Sequence, residues 1–138
     1  MINKFDELIS KLHDARLFGF LLDHDPNTMD LNLILYVQIF SDYNFELELY
    51  SLEKTFIIFE KTSINKLSIN NDLFSGQFFI TDIVVEQLED KKFKYNFFFN
   101  VTSIELILIS ENVHLISSGI IKENNIQFLP TNWKSLLD

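Results

Sequence analysis

Residues 93–110, FKYNFFFNVTSIELILIS, decide the fold class of this chain. Large apolar side chains recur there at every second position: Phe93, Tyr95, Phe97 and Phe99, then Ile104, Leu106 and Leu108. A period of two places such side chains on one face of a β-strand. The stretch therefore predicts two neighbouring antiparallel strands, joined by a turn near Asn100–Thr102, that direct one shared face into the core.

Similar patterns extend outward from this pair in both directions. The further predicted strands cover residues 17–22, 31–39, 45–49, 55–59, 77–87 and 113–117. Pro26 and Asn27 supply turn chemistry between the first two of these strands, and Glu89-Asp90-Lys91 supplies a turn before residue 93. Residues 64–75 are Asn-rich and polar, which predicts a loop or a helical turn ending at Gly76. Ser117-Ser118-Gly119 is typical of a turn-like strand end.

Helical spacing occurs only near the two ends of the sequence. Phe5, Leu8, Ile9 and Leu12 predict a short amphipathic helix over residues 3–12, and Trp133, Leu136 and Leu137 predict a short C-terminal helical turn after Pro130. No long helix alternates with the strands, so a doubly wound nucleotide-binding fold is not expected. The sequence predicts a mainly β (α+β) fold, a largely antiparallel curled sheet or sandwich of about seven to eight strands.

Size and composition set the broad class. The 138 residues match the size of one domain, and no linker, repeat or low-complexity tract divides residues 1–138. Fifteen Phe with only three Gly and two Pro indicate a folded chain with a large core. No apolar run approaches the ~20 residues of a membrane helix, so no membrane association is expected.

Charge and cysteine content restrict the compartment and the partners. The chain has no Cys, which excludes disulfides and thiolate metal sites, and its first dozen residues lack the apolar core of a signal peptide. We therefore expect a cytoplasmic protein. The net charge of −9 has the wrong sign for binding phosphate backbones or anionic lipid, so no nucleic acid is expected and a charged partner would be basic.

Two segments bring His and carboxylates together without forming a metal site. His13-Asp14 and Asp23-His24-Asp25 lie at opposite ends of a predicted strand, roughly 30 Å apart by the rise per residue. Asp23, Asp25 and Asn27 imitate the opening of a calcium loop, but Thr28 stands where that loop needs Gly and Ile34 where it needs Glu. We expect neither a metal nor a cofactor.

No residue pattern indicates catalysis. No Ser lies in a Gly-framed elbow, and no glycine loop could cradle a phosphate. Glu46 and Glu48 share a face of their predicted strand, but this spacing is typical of a solvated edge rather than an acid/base pair. We therefore expect no catalytic residues and no enzymatic activity.

Residues 12–17, Leu-His-Asp-Ala-Arg-Leu, follow the predicted helix and lead into paired strands. This signature resembles the "HDA" motif of small bacterial proteins known as immunity proteins of polymorphic toxin systems. The downstream order is similar too: a strand ending near Phe59, a loop, Thr81-Asp82-Ile83, Glu86–Asp90, a hairpin and two strands. Leu12 departs from the aromatic residue that often precedes the His. The resemblance implies a protein that binds one cognate toxin and blocks its active site.

If that hypothesis holds, exposed acids and two tyrosine anchors make the contacts, and an acidic surface suits the cationic cleft of a nuclease toxin. The predicted partner-binding residues are Asp42, Tyr43, Glu46, Glu48, Tyr50, Asp82, Glu86, Glu89 and Asp90. His13, Asp14 and Arg16 are assigned to architecture. Two other classes stay open: an adaptor that pairs through an exposed sheet edge, and a small-ligand binder with a cavity in the Phe-rich sheet.

Overall fold

The structure, a computed structural model, describes residues 5–70, 78–89 and 91–124. The described elements are α1 (Asp6–Leu12), β1 (Arg16–His24), β2 (Leu31–Asn44), β3 (Leu49–Glu60), β4 (Ser63–Ile69), β5 (Phe78–Glu89), β6 (Lys92–Phe99), β7 (Ile104–Ser110) and β8 (Asn112–Asn124). All strand pairs are antiparallel, which confirms the predicted mainly β class. The one described helix, α1, is too short and too polar to cross a membrane.

The strands form one sheet in the order β4-β7-β6-β5-β1-β2-β3-β8. Its two halves meet at a narrow junction, because β1 pairs with β5 only at Arg16↔Phe79 and Leu17↔Phe78. The sheet curls there, and the inner faces of the halves pack on each other. Phe59 of β3 lies with its ring centroid 5.0 Å from that of Tyr95 and 5.9 Å from that of Phe97, both on β6.

The core lies between the two inner faces and follows the predicted alternation. The buried members on β2, β6 and β7 are Leu33, Leu35, Val37, Ile39, Phe93, Tyr95, Phe97, Phe99, Ile104, Leu106 and Leu108. Each fully buried large apolar side chain contributes about 1.5–3 kcal/mol relative to exposure. This interdigitated set, rather than any single pair, stabilises the curled sheet.

Helix α1 closes one end of the core. Leu12 is fully buried, and the ring of Phe5, which caps the helix, lies 4.9 Å from that of Phe93 in an edge-on arrangement. Glu7 and Lys11 form an i,i+4 ion pair of 3.1 Å on the solvent side. The helix predicted for residues 3–12 is thus confirmed from Asp6 to Leu12. The predicted C-terminal helical turn around Trp133 lies outside the described residues.

The loop predicted for residues 64–75 is wrong over its first part, where Ser63–Ile69 form strand β4. A register shift between Ile64 and Lys66 hides the alternation in the sequence. Ile64 and Leu67, three residues apart, both face the core-directed leucines of β7 as a result, opposite Leu108 and Leu106. The rest of the predicted loop, from residue 71, lies outside the described residues.

Two further predictions need correction. Ser117-Ser118-Gly119 does not end its strand, because a bulge with Gly119 at φ +77° lets β8 continue to Asn124. Residues 45–48 are not a strand but a turn between β2 and β3. Glu46 and Glu48 therefore do not share a strand face.

Candidate functional site

The end of the β2–β3 hairpin is fixed by local hydrogen bonds. Asn44 closes β2, and its side-chain Oδ1 accepts hydrogen bonds from the backbone N–H groups of Glu46 (3.0 Å) and Leu47 (3.1 Å). This arrangement is an Asx-type turn, in which the side chain replaces a backbone acceptor. Glu48 then adopts φ +54°, a left-handed conformation that returns the chain to β3. The four turn residues Phe45–Glu48 are thereby held in a defined shape.

Aromatic rings connect this turn to the sheet. Tyr43 and Tyr50 are cross-strand partners with ring centroids 4.6 Å apart, and the Phe45 ring meets Tyr43 edge-on at 4.8 Å. Tyr50 also lies 5.8 Å from Phe40, and both pack against fully buried Leu52 in a small second cluster. Such ring pairs add about 0.5–1.5 kcal/mol each to simple burial. The turn is therefore supported by packed aromatic side chains of β2 and β3.

Large apolar side chains at the turn project into solvent. Phe45 is 84% exposed and Leu47 is 62% exposed. The same segment carries Asp42, Glu46 and Glu48, and no described Lys, Arg or His forms an ion pair with these three carboxylates. We call residues 42–50 the hairpin tip. It combines exposed apolar anchors with a rim of negative charge.

The structure separates the nine predicted contact residues into two groups. Asp42, Tyr43, Glu46, Glu48 and Tyr50 lie together at the hairpin tip. The remaining described members, Asp82, Glu86 and Glu89, are exposed on β5. Asp90 lies outside the described residues.

The end of β5 that carries Glu86 and Glu89 lies far from the hairpin tip. Gln87, between these two acids, lines a groove together with Lys61, which follows the end of β3. Strand β3 begins at the hairpin tip and spans about 36 Å at ~3.3 Å per residue. The cross-strand partners of Glu86 and Glu89 are Lys94 and Lys92, which offset their charge. The hairpin tip is therefore the stronger candidate for recognition of a basic group.

Phe45 and Leu47 are the site residues that the sequence analysis missed. Their alternation with Glu46 and Glu48 predicts a strand over residues 45–49, whereas residues 45–48 form a turn. The signal that identifies the turn is Asn44, whose short side chain favours capping two successive backbone N–H groups.

The His-Asp-Ala-Arg segment lies between α1 and β1. Ala15 is fully buried, and the buried Arg16 guanidinium donates a 2.6 Å hydrogen bond to the backbone oxygen of Asp14 and stacks 4.6 Å from the Phe79 ring. Burial lowers the pKa of Arg16, while the Asp14 carboxylate opposes that change. The exposed His13 ring places Nδ1 3.2 Å from an Asp14 carboxylate oxygen. These contacts join the helix to the sheet.

The other carboxylate cluster of the sequence forms a turn. The Asp25 Oδ1 atom accepts hydrogen bonds from the backbone N–H groups of Asn27 (2.8 Å) and Thr28 (3.2 Å). This carboxylate fixes the β1–β2 connection. Within residues 5–70, 78–89 and 91–124, no three His, Asp or Glu side chains are grouped so as to hold a metal ion.

No family model matches the chain, and neither the curated proteins nor the solved structures contain a significant match. The assignment of a role to the hairpin tip therefore rests on its geometry and on the exposure of Phe45.

Proposed function

We propose that this protein is an immunity protein that binds a basic toxin domain through the hairpin tip and occludes its active site. The observation that carries the proposal is the exposed pair Phe45 and Leu47, presented by the Asx-type turn beside Glu46 and Glu48. The resemblance of residues 12–17 to the HDA signature supports the toxin as partner. The net charge of −9 supports a basic partner, because opposite charge accelerates encounter.

The physical argument rests on what each group would gain in a complex. The Phe45 side chain is 84% exposed, so its burial in a partner pocket would remove most of its apolar surface from water. That burial would contribute about 1.5–3 kcal/mol to the binding free energy. The Asx turn and the Tyr43–Tyr50 pair already fix the backbone, so little ordering entropy is lost on binding. Aromatic anchors surrounded by polar groups are the usual source of binding energy in protein interfaces.

The acids would select the partner. Asp42, Glu46 and Glu48 have no described counter-ion, so they are available to Lys and Arg side chains of another molecule. Such side chains line the clefts of nucleases, which must bind phosphates. A protruding acidic tip would compete for that cleft without any chemistry of its own.

The test is recovery of the partner followed by substitution at the tip. The tagged protein is co-expressed with the toxin domain encoded beside its gene, and the complex is isolated and its Kd measured. Phe45→Ala combined with Leu47→Ala should weaken binding by about 30-fold or more, as expected for central anchors. Phe98→Ala is the matched control, because Phe98 is also exposed but lies on β6. It should leave Kd unchanged.

Charge reversal separates the two acidic groups. Glu46→Lys with Glu48→Lys should reduce the association rate strongly at low salt and weakly at high salt. Glu86→Lys with Glu89→Lys should have a smaller effect. Equal effects of the two pairs would contradict the placement at the tip. Recovery of the protein only as a defined homo-oligomer would overturn the proposal and favour an adaptor that pairs through a sheet edge.

A further inference from the structure

A groove separate from the hairpin tip runs between α1 and the start of β8. Its volume is about 410 Å³, within the range of small-molecule sites. Its lining combines the polar side chains of Glu7, Lys11, Glu111 and Asn112 with apolar side chains from the helix and the sheet: Phe5, Leu8, Phe93, Tyr95, Val113 and Leu115. A molecule with an apolar body would bury surface against the apolar part of this lining, and a polar group on it would suit the rest.

Tyr95, one of the lining residues, carries a buried hydroxyl that has no hydrogen-bond partner among the described residues. The residue is 0% exposed. An unsatisfied buried hydroxyl costs about 1–3 kcal/mol, so buried groups of this kind nearly always have a partner in native proteins. The hydroxyl is both a donor and an acceptor, and a ligand oxygen could use either function.

The charges at the rim are already matched. Lys11 pairs with Glu7 at 3.1 Å, and Glu111 pairs with Lys61 at 3.6 Å. Of these four residues, Glu7, Lys11 and Glu111 line the groove, so two acids face one base there. The groove therefore offers no uncompensated cation to a carboxylate or phosphate ligand.

We propose that this groove binds a small, neutral aromatic or aliphatic alcohol, with the ligand hydroxyl bonded to the Tyr95 hydroxyl and the ligand body against Leu8, Val113 and Leu115. Access to Tyr95 requires a shift of the Phe5 and Leu8 side chains at the start of α1. The Phe5 ring meets the rings of Phe93 at 4.9 Å and Tyr95 at 5.8 Å, so contacts with the ligand body would have to replace these edge-on contacts. The site does not depend on toxin binding.

The experiment uses a matched set of probes on the full chain. 4-Methylphenol and toluene differ only by one hydroxyl, and 4-methylbenzoate carries a negative charge. Each is titrated into ¹⁵N-labelled protein, and the backbone amides of Leu8, Val113 and Leu115 are followed by NMR. 4-Methylphenol should bind most tightly of the three, and 4-methylbenzoate should bind least.

Tyr95→Phe tests the hydroxyl directly. It should weaken the binding of 4-methylphenol by about two- to tenfold, the range expected for one neutral hydrogen bond, and leave the binding of toluene unchanged. Thermal unfolding of the variant verifies that it is folded. An equal change for both probes would overturn the assigned contact. Absence of shifts at the groove amides with any probe would overturn the site itself, whatever the result of the toxin experiment.

Discussion

Two aromatic clusters of this molecule have similar ring geometry and opposite surroundings. Phe59, Tyr95 and Phe97 meet at 5.0 and 5.9 Å in the core, and Tyr43, Phe45 and Tyr50 meet at 4.6 and 4.8 Å at the hairpin tip. The core rings are buried on all sides, whereas Phe45 has almost no cover. Ring contacts alone therefore do not indicate a role. The surface that remains after packing decides whether a cluster stabilises the fold or is free to bind.

The largest expected difference between the clusters is in stability. Phe59→Ala removes a buried ring that contacts Tyr95 and Phe97, and it should lower the free energy of unfolding by about 3–5 kcal/mol. Phe45→Ala should lower it by no more than about 0.5–1.5 kcal/mol, because the ring is 84% exposed and loses only its edge-on contact with Tyr43. Urea unfolding followed by circular dichroism measures both. A cost above about 2 kcal/mol for Phe45→Ala would assign the hairpin tip to the fold rather than to binding.

The second difference concerns the ionisation of the core tyrosine. Burial raises the pKa of Tyr95 to about 12 from its ordinary value of 10.0. The unfolded chain loses this proton first as the pH rises, so the contribution of the protonated native tyrosine to stability is complete below pH ~10 and is lost as the pH approaches 12. The loss should be on the order of 3 kcal/mol.

Tyr95→Phe provides the comparison for this pH effect. Wild type and variant are unfolded with urea at intervals from pH 8 to pH 12. The wild type should lose stability relative to the variant across the upper two pH units. Parallel curves for the two proteins would show that the Tyr95 hydroxyl is not held in an apolar environment.

The smallest expected effect sharpens the description of the hairpin tip. Glu48 has φ +54°, which disfavours a residue with a Cβ atom, and glycine relieves that strain. Glu48→Gly should raise the free energy of unfolding by about 0.5–1 kcal/mol. Glu46→Gly is the control and should lower it, since Glu46 is not among the residues with positive φ. A loss of stability in Glu48→Gly would contradict the strained turn.

The strands were predictable from the sequence where every second side chain faces the core. Phe93 to Phe99 and Ile104 to Leu108 alternate strictly, and the structure buries the predicted face. Strand β4 was not predictable, because a bulge between Ile64 and Lys66 breaks the period. The bulge at Gly119 similarly resembled a strand end. These two segments form strands because they pair with β7 and β3. The pattern of a single sequence does not show which strands will pair.

The candidate site was predictable in part. Tyr43, Tyr50 and the acids around them were selected from the sequence, and the structure places them together at the hairpin tip. Phe45 and Leu47 were missed because an alternating pattern gives no sign of which residues leave the sheet. The capping by Asn44 that turns the chain outward depends on a side-chain hydrogen bond rather than on hydropathy.

The pairing of β3 with β8 has a consequence for biosynthesis. Glu60 pairs with Asn112 and Tyr50 with Asn124, so the outer partner of β3 is translated more than 50 residues after it. At ~5–20 residues per second, the ribosome takes about 3–10 s to cover that interval. Throughout this delay, the nascent chain presents an incomplete sheet with an open backbone edge. We expect the unpaired edge of β3 to be open to edge-to-edge aggregation during that interval, so slower translation should prolong the hazard.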